Sequence, residues 1–352
     1  MPPTTADALA MNEAAPAVET TLVIRTYNEA KHLGNLFDAL DAQSYRDFET
    51  VVVDSGSTDR TRDIAAVRAD RLIAIPKDDF TFGHSLNVGI GAGRGRFAAI
   101  ASAHTVPRDS AWLDRLIAPL RSDDSIAMTY GRQLGRPCSK FSEVEDFERS
   151  FGPHPRIERP DRFAVNNANA AIRRSLWEKK PFDVLLPGLE DIGFAQYWME
   201  RGHRVVYEPE AALIHIHEES WAQIRRRYYR EGIAARQLSI RGWRSIPREL
   251  AREIAFIAGD LMHACAPGAN PVASRLSLGR RLREVLYFRL HKNIGTVAGL
   301  LRSRPSESRA EREAFYFDHA AANIEEVPLP PRAERQGGGE SPSPGQAREA
   351  TR

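Results

Sequence analysis

Four short apolar runs in the first part of the chain each end in polar or small residues: "TLVIRTY", "FETVVVDSGSTDRT", "RLIAIP" and "RFAAIASAH". Runs this continuous suit strands that are covered on both faces. The segments between and after them carry helical spacing. "NEAKHLGNLFDALDAQ" sets Leu33, Leu36, Phe37 and Leu40 on one helical face, and "RTRDIAAVRA", "SLNVGIGAGRG" and "SAWLDRLIAPLRS" follow the later runs. The strand–helix alternation predicts an α/β fold, a mostly parallel sheet with helices on both faces. "SIAMTYGRQL" adds a strand, 136–163 reads as a loop-rich insertion, and "AVNNANAAIRRSLWEKKPFD" gives a strand and turn. "GLEDIGFAQYWMERG" reads as a helix and "RVVYEPEAALIHIH" as a last strand.

With 352 residues, 42% of them hydrophobic, the chain can bury a sizeable core. Two distant cysteines, Cys138 and Cys265, exclude a disulfide framework and a zinc-type spacing, which suits a cytoplasmic protein. The first residues lack the basic start and apolar centre of a signal peptide. The longest apolar helical stretch, "IAFIAGDLMHACA", contains Asp260 and His263 and falls short of the ~20 residues a membrane span needs. From Trp221 to Arg304 there are sixteen Arg and one Lys against four Glu and one Asp, a net charge of +12. No recognised nucleic-acid module accompanies these arginines, so nucleic acid is not expected as a partner. Two readings remain for this window: an amphipathic surface that meets anionic lipid or a substrate diphosphate, or a solvated helical face. The expected organisation is a disordered N-terminus at 1–19, a catalytic-type domain at 20–222, a basic helical extension at 223–304 and a largely disordered tail at 305–352.

Two motifs carry chemistry. In "VVVDSGSTDRT" an acid follows a buried strand directly, and Gly56 allows close backbone approach, so Asp54 is a candidate ligand contact and Asp59 a helix cap. "GLEDIGF" sets Glu190 and Asp191 at a helix start, where they either favour the helix dipole or supply a general base. "GAGRGR" is no dinucleotide fingerprint, because it closes a helix and precedes a strand.

"LVIRTYNEAKHLGNLFDALDAQSY", "ETVVVDSGSTDRT", "SLNVGIGAGRGRFAAIASAHTVP" and "LPGLEDIGFAQYWMERGHRVVYEP" together resemble the family 2 glycosyltransferases, which have the GT-A fold. "FTFGHSLN" and "SAH" are similar to the rhamnosyltransferase branch. The resemblance covers about residues 20–220 and implies inverting sugar transfer from a nucleoside diphosphate sugar to a hydroxyl of a saccharide or lipid-linked acceptor. The expected protein is cytoplasmic, peripheral at the inner face of the membrane, and acts in synthesis of surface polysaccharide or glycolipid. By the same resemblance Arg25, Thr26, Tyr27, Asn28, Glu29 and Asp54 are donor-binding, with Ser102 and His104. Asp191 becomes the base, with Glu190 beside it, and Asn167 and Asn169 belong to the loop that meets acceptor and donor sugar. Ser102-Ala103-His104 stands where the family carries Asp-x-Asp for Mn2+ or Mg2+. Serine supplies no anionic ligand, whereas imidazole can bind Mn2+ and suits Mg2+ poorly. His104 and His215 are therefore the candidate metal ligands, with His217 two residues further on the same strand face. The alternative is metal-independent transfer, in which protonated His104, His84 or arginines hold the diphosphate. Two other functions fit less of the sequence. A binding protein without catalysis would not need Asp191, and a sugar nucleotidyltransferase would need an N-terminal phosphate loop that this chain lacks.

Overall fold

A computed structural model describes residues 18–302, apart from 137, 161–163, 267 and 269, together with 325–327. Most of the two segments expected to be disordered lies outside the described residues. The first half follows the predicted alternation. Strands β1 (Thr20–Thr26), β2 (Phe48–Asp54), β3 (Arg71–Ala74) and β4 (Phe97–Ser102) alternate with helices α1 (Ala30–Asp41), α2 (Thr61–Arg68) and α3 (Phe82–Ala92). These four strands are parallel, in the order β3-β2-β1-β4. Alternate side chains point to opposite faces of a strand, and both faces here are apolar. Val23, Val53 and Ile100 pack under α3 on one side, while Leu22, Ile24 and Val52 meet Leu33, Leu36 and Phe37 of α1 on the other.

The second half contains β5 (Thr105–Pro107), α4 (Trp112–Ser122), β6 (Ile126–Leu134), α5 (Phe141–Ser150), β7 (Arg156–Ile157), β8 (Asn169–Arg173), α6 (Arg174–Lys179), α7 (Glu190–Met199) and β9 (Arg204–His215). Here the sheet is mixed. β8 runs antiparallel to both β4 and β6, and β5 antiparallel to β9. The reversal of β8 sets Asn169 opposite Ala101, so the loop before β8 arrives beside the C-terminal end of β4. Pairing of Thr105 with His215 brings the end of β9 to the same rim. A short strand β10 (Glu325–Val327) pairs with β3, inside the tail expected to be disordered.

The expected loop-rich insertion is corrected by α5, a ten-residue helix whose Glu143 and Glu145 are buried. Glu143, Glu145 and Asp146 face the C-terminal helices rather than water, which hides its amphipathic pattern in the sequence. Those helices are α8 (Trp221–Gln237), α9 (Ile246–Cys265) and α10 (Leu278–Leu301). Among the described residues no helix is long and apolar enough to cross a membrane. α8 and α10 pack backbone to backbone. A Cβ on Gly295 would overlap the carbonyl oxygen of Arg225, and one on Gly299 that of Tyr229.

Gly→Ala at an open helix position should raise stability by about 1 kcal/mol through helix propensity. At Gly295 or Gly299 the same change should lower it by about 1–3 kcal/mol, because overpacking opposes it. Thermal unfolding of Gly295→Ala and Gly299→Ala reads the sign directly, and a raised midpoint would contradict the close packing.

Candidate active site

The C-terminal ends of β1 and β4 lie side by side, with Arg25 opposite Ser102, and a cleft of about 1060 Å³ opens at this rim. In α/β sheets that rim is where side chains from several strand ends converge on a ligand. Of the residues singled out in the sequence, Arg25, Asn28, Glu29, Ser102, His104, Asn167, Glu190, Asp191 and His215 line the cleft. Asn28 adopts φ +54°, a left-handed conformation that Asn tolerates. Its backbone N–H donates to Ser57 Oγ at 2.9 Å and its Oδ1 accepts from the Thr58 N–H at 2.8 Å, tying together the turns after β1 and β2.

One wall is made of histidines. His104 lies in the turn between β4 and β5, and its ring stacks on His215 at 5.0 Å between centroids. His104 Nδ1 meets Glu29 Oε1 at 2.7 Å, His217 Nδ1 meets Glu143 Oε1 at 2.6 Å, and His215 Nδ1 meets the Gln133 side-chain oxygen. With acceptors on their Nδ1 atoms, His215 and His217 carry their hydrogens there. Their Nε2 lone pairs then face each other at 3.0 Å. Two lone pairs this close require a cation, either a proton or a metal ion. Protonation of His215 is opposed by its burial, reinforced by His217 and His104, which hold its pKa well below the usual imidazole value.

Nitrogens of His104, His215 and His217 lie within 4.8 Å of one another, and the side chains behind the rings, Glu29, Gln133 and Glu143, orient them as metal-bound imidazoles are commonly oriented. The residues therefore fit a divalent metal, and imidazole donors favour Mn2+ or a softer ion over Mg2+. One metal-free arrangement also satisfies the contact. Turning over the Gln133 carboxamide, whose Nε2 has no partner here, would let it donate to His215 Nδ1. His215 Nε2–H would then donate to His217.

The opposite wall holds the acids. Leu189, at φ +57°, precedes Glu190 and Asp191 at the start of α7. A left-handed leucine is strained backbone, and it aims both acids at the cleft. Asp191 Oδ2 accepts from the Asn167 N–H at 3.0 Å, and Asn167 Nδ2 donates to Glu190 Oε1 at 3.2 Å. Burial, then the neighbouring Glu190, pushes the Asp191 carboxyl up to about 7, against the opposing pull of the Ile192 and Asn167 N–H groups and of Arg25. Arg25 Nη1 stands 3.8 Å from Glu190, and its Nε and Nη1 have no hydrogen-bond partner. Such a buried, underused guanidinium is suited to an anion in the cleft.

The third wall was not foreseen. α5 and α8–α10 close the cleft with Phe147, Arg227, Tyr228 and Lys292 among others. Arg227 bridges Glu143 and Glu219, each at 2.6 Å. Burial alone would raise the Glu143 carboxyl, but His217 and Arg227 pull it down to about 2. The available signal was the +12 window itself, which needs buried acids to pair with, and "FSEVEDFER" supplies them.

Some expected site residues lie elsewhere. Asn169 is fully buried, donates to the carbonyls of Arg132 and Ala211, and accepts from Trp112 Nε1. It fixes the junction of β6, β8 and β9 and has no group left for a sugar. Asp54 is also fully buried, and its carboxylate accepts from the Gly56 and Ser57 N–H groups and from Ser57 Oγ. It holds its own turn and, like Thr26 and Tyr27, does not line the cleft. Tyr27 instead takes a hydrogen bond from Lys77 at 2.6 Å. Asp59 accepts from the first N–H groups of α1 and α2, at Ala30 and Thr61.

The sequence profile of glycosyl transferase family 2 matches residues 21–179. The O-antigen chain rhamnosyltransferase WbaN of Salmonella anatum is 25% identical over 226 residues, which are 60% of this chain and 71% of that protein. The O-antigen chain rhamnosyltransferase RfbN of Salmonella typhimurium is 27% identical over 231 residues, 61% of this chain and 72% of the other. Among solved structures, the mannosyltransferase PcManGT of Pyrobaculum calidifontis, in complex with GDP-Man and Mn2+, superposes with a TM-score of 0.56 at 20% identity. That match covers 82% of this chain and 89% of the neighbour, and it establishes the GT-A fold.

The histidine wall makes a measurable claim. After treatment with EDTA the protein should bind one equivalent of Mn2+ by calorimetry, and His217→Ala should weaken that binding by about tenfold or more. Absence of binding would assign the His215–His217 contact to the metal-free arrangement.

Proposed function

We propose that this chain, which belongs to glycosyl transferase family 2, moves a sugar from a nucleoside diphosphate donor to an acceptor hydroxyl with inversion at the anomeric carbon. The observation that carries the reading is the buried Asp191, facing a wall of imidazoles and a partly unpartnered Arg25 across one cleft. In a single displacement the acceptor oxygen attacks the anomeric carbon, its proton passes to Asp191, and the bond to the diphosphate breaks with its electron pair on the diphosphate. A base must be deprotonated yet basic enough to take that proton, and a carboxyl raised to about 7 meets both needs near neutral pH. Glu190 and Asn167 hold Asp191 and the acceptor side of the cleft. Arg25 faces the departing diphosphate. A divalent ion, when bound, would be held by His104, His215 and His217 and would neutralise charge on the diphosphate.

The transferred sugar belongs in this reading to the hexosyl class, and the likeness to WbaN and RfbN supports a rhamnosyl donor. The same likeness supports a saccharide or lipid-linked acceptor in polysaccharide synthesis, met at the cytoplasmic face of a membrane. The chain division at 20–222 and 223–304 is best read as one catalytic unit, because α8–α10 supply a wall of the cleft.

Asp191→Asn should leave the affinity for the nucleoside diphosphate sugar within about twofold while lowering turnover by about two orders of magnitude or more. In the wild type kcat/KM should climb as pH rises toward about 7 and level off above it, since Asp191 works only when ionised. Undiminished turnover in Asp191→Asn, with the donor still bound, would remove Asp191 from the role.

A further inference from the structure

We propose that the outward faces of α9 and α10 dock the protein on the surface of an anionic lipid bilayer. An ordinary surface helix turns its apolar stripe inward and its charges to water. These two helices depart from that rule, because charged side chains turn inward among the buried apolar ones while a further apolar stripe faces outward. In α9, Glu249, Glu253 and Asp260 are buried, while Leu250, Ile254 and Met262 are exposed in a row at intervals of four and eight, with Ile254 at 67% and Met262 at 72%. In α10, Arg289 is wholly enclosed among Asp146, Glu253 and Asp260. Leu286, Leu290, Ile294 and Leu301 stand out on the other side, Leu290 at 55% exposure. From Leu286 to Leu301 this stripe runs about 22 Å along the helix axis. Single exposed leucines need no explanation, but two continuous apolar stripes on neighbouring helices mark a surface that something covers.

Charge identifies the occupant. Exposed arginines gather where each helix begins, Arg244 and Arg248 at α9 and Arg280 and Arg283 at α10, and exposed Trp243 stands beside the first pair. A second copy of the chain would bring another strongly basic helical face against this one. Anionic headgroups instead complement the arginines, while the leucines and isoleucines enter the boundary between headgroups and acyl chains. α9 and α10 also line the cleft through Glu253, Phe256 and Asn293, so a docked chain holds its cleft close to the lipid surface. The link from docking to catalysis rests on the proposed lipid-linked acceptor, whereas the docking itself rests on the exposed apolar stripes and the arginines beside them.

The test uses the full chain and vesicles of phosphatidylcholine with or without phosphatidylglycerol. The wild type should float with the anionic vesicles, and salt should weaken the association. The double substitution Ile254→Glu and Leu290→Glu should lower partitioning about tenfold or more, as should replacement of Arg244, Arg248, Arg280 and Arg283 by Gln. Separately, Leu290→Trp should gain fluorescence that brominated lipids quench. That readout decides the matter even if the glutamate variant fails to fold. Wild-type protein that stays with the buffer, or unquenched Trp at 290, would overturn the proposal. A dimer that Ile254→Glu and Leu290→Glu dissociate would overturn it too, by giving the face to a second copy. Donor binding measured without vesicles separates the two readings. Its loss with flotation intact refutes the transferase chemistry, and flotation lost with donor binding intact refutes the docking.

Discussion

The Arg289 guanidinium, closed in by three carboxylates, is the interaction on which the cleft depends. Asp146 comes from α5, Glu253 and Asp260 from α9, and Lys292 of α10 joins them, so the cluster seams three helices. Removing one partner would leave a buried charge uncompensated, which costs far more than the pair contributes over an apolar substitute. The value of the seam is therefore position. It sets α10 against α5, and α10 in turn fixes α8 through the Gly295 and Gly299 contacts. α8 brings Arg227 to Glu143, one turn of α5 away from Asp146, and Glu143 orients His217. One helix with two acids thus joins the C-terminal seam to the histidine wall. Burial alone would raise Asp146, but Lys292 and Arg289 bring it down to about 2, so the seam's contribution is full above the unfolded carboxylate pKa near 4. It fades only as pH falls from there toward about 2.

The same seam explains where the sequence could be read and where it could not. β1, β2 and β4 and their helices are legible because each strand buries two apolar faces and each helix one, the ordinary relation between pattern and burial. Leu33, Leu36 and Phe37 pack where their spacing says they must. Arg25, His104 and Asp191 were legible for a related reason, because polar residues at strand and helix ends in such a sheet face the crevice. α5, α9 and α10 break the relation. Glu143 and Glu145 of α5, Glu249, Glu253 and Asp260 of α9 and Arg289 of α10 turn inward while Leu250, Leu286 and Leu290 turn outward, so a reader who sends charge to water takes α5 for loop and Arg289 for surface. Asn169 and Asp54 mislead in the opposite sense. A polar side chain next to a functional rim can be fully used by backbone groups, and only coordinates show that Asn169 serves Arg132, Ala211 and Trp112.

The histidine that replaces a carboxylate beside Ser102 also makes sense in this setting. An Asp-x-Asp pair brings its negative charge directly to a metal. Here imidazole rings face the inside of the cluster, and carboxylates stand one hydrogen bond behind two of them, at Glu29 and Glu143. The carboxylates orient the rings of His104 and His217, as acceptors behind a metal-binding imidazole commonly do. Such a wall leaves more positive charge facing a diphosphate than two carboxylates would.

Burial acts on both walls in the same direction, toward the uncharged form. It raises the carboxyl of Asp191 and lowers the imidazole of His215, so one group is slow to lose a proton and the other slow to gain one. An ionised Asp191 and a neutral His215, the forms that the proposed transfer calls for, nevertheless coexist over the same pH range. His215 is already neutral well below the pH at which Asp191 ionises. Neither group therefore closes the site as pH rises, and of these two the limiting ionisation on the acid side belongs to Asp191 rather than to His215. A carboxylate in the place of His104 would have added negative charge to the cleft opposite Asp191. That would have pushed the Asp191 carboxyl higher still, so under the proposed transfer the choice of histidine on one wall is coupled to the acid on the other.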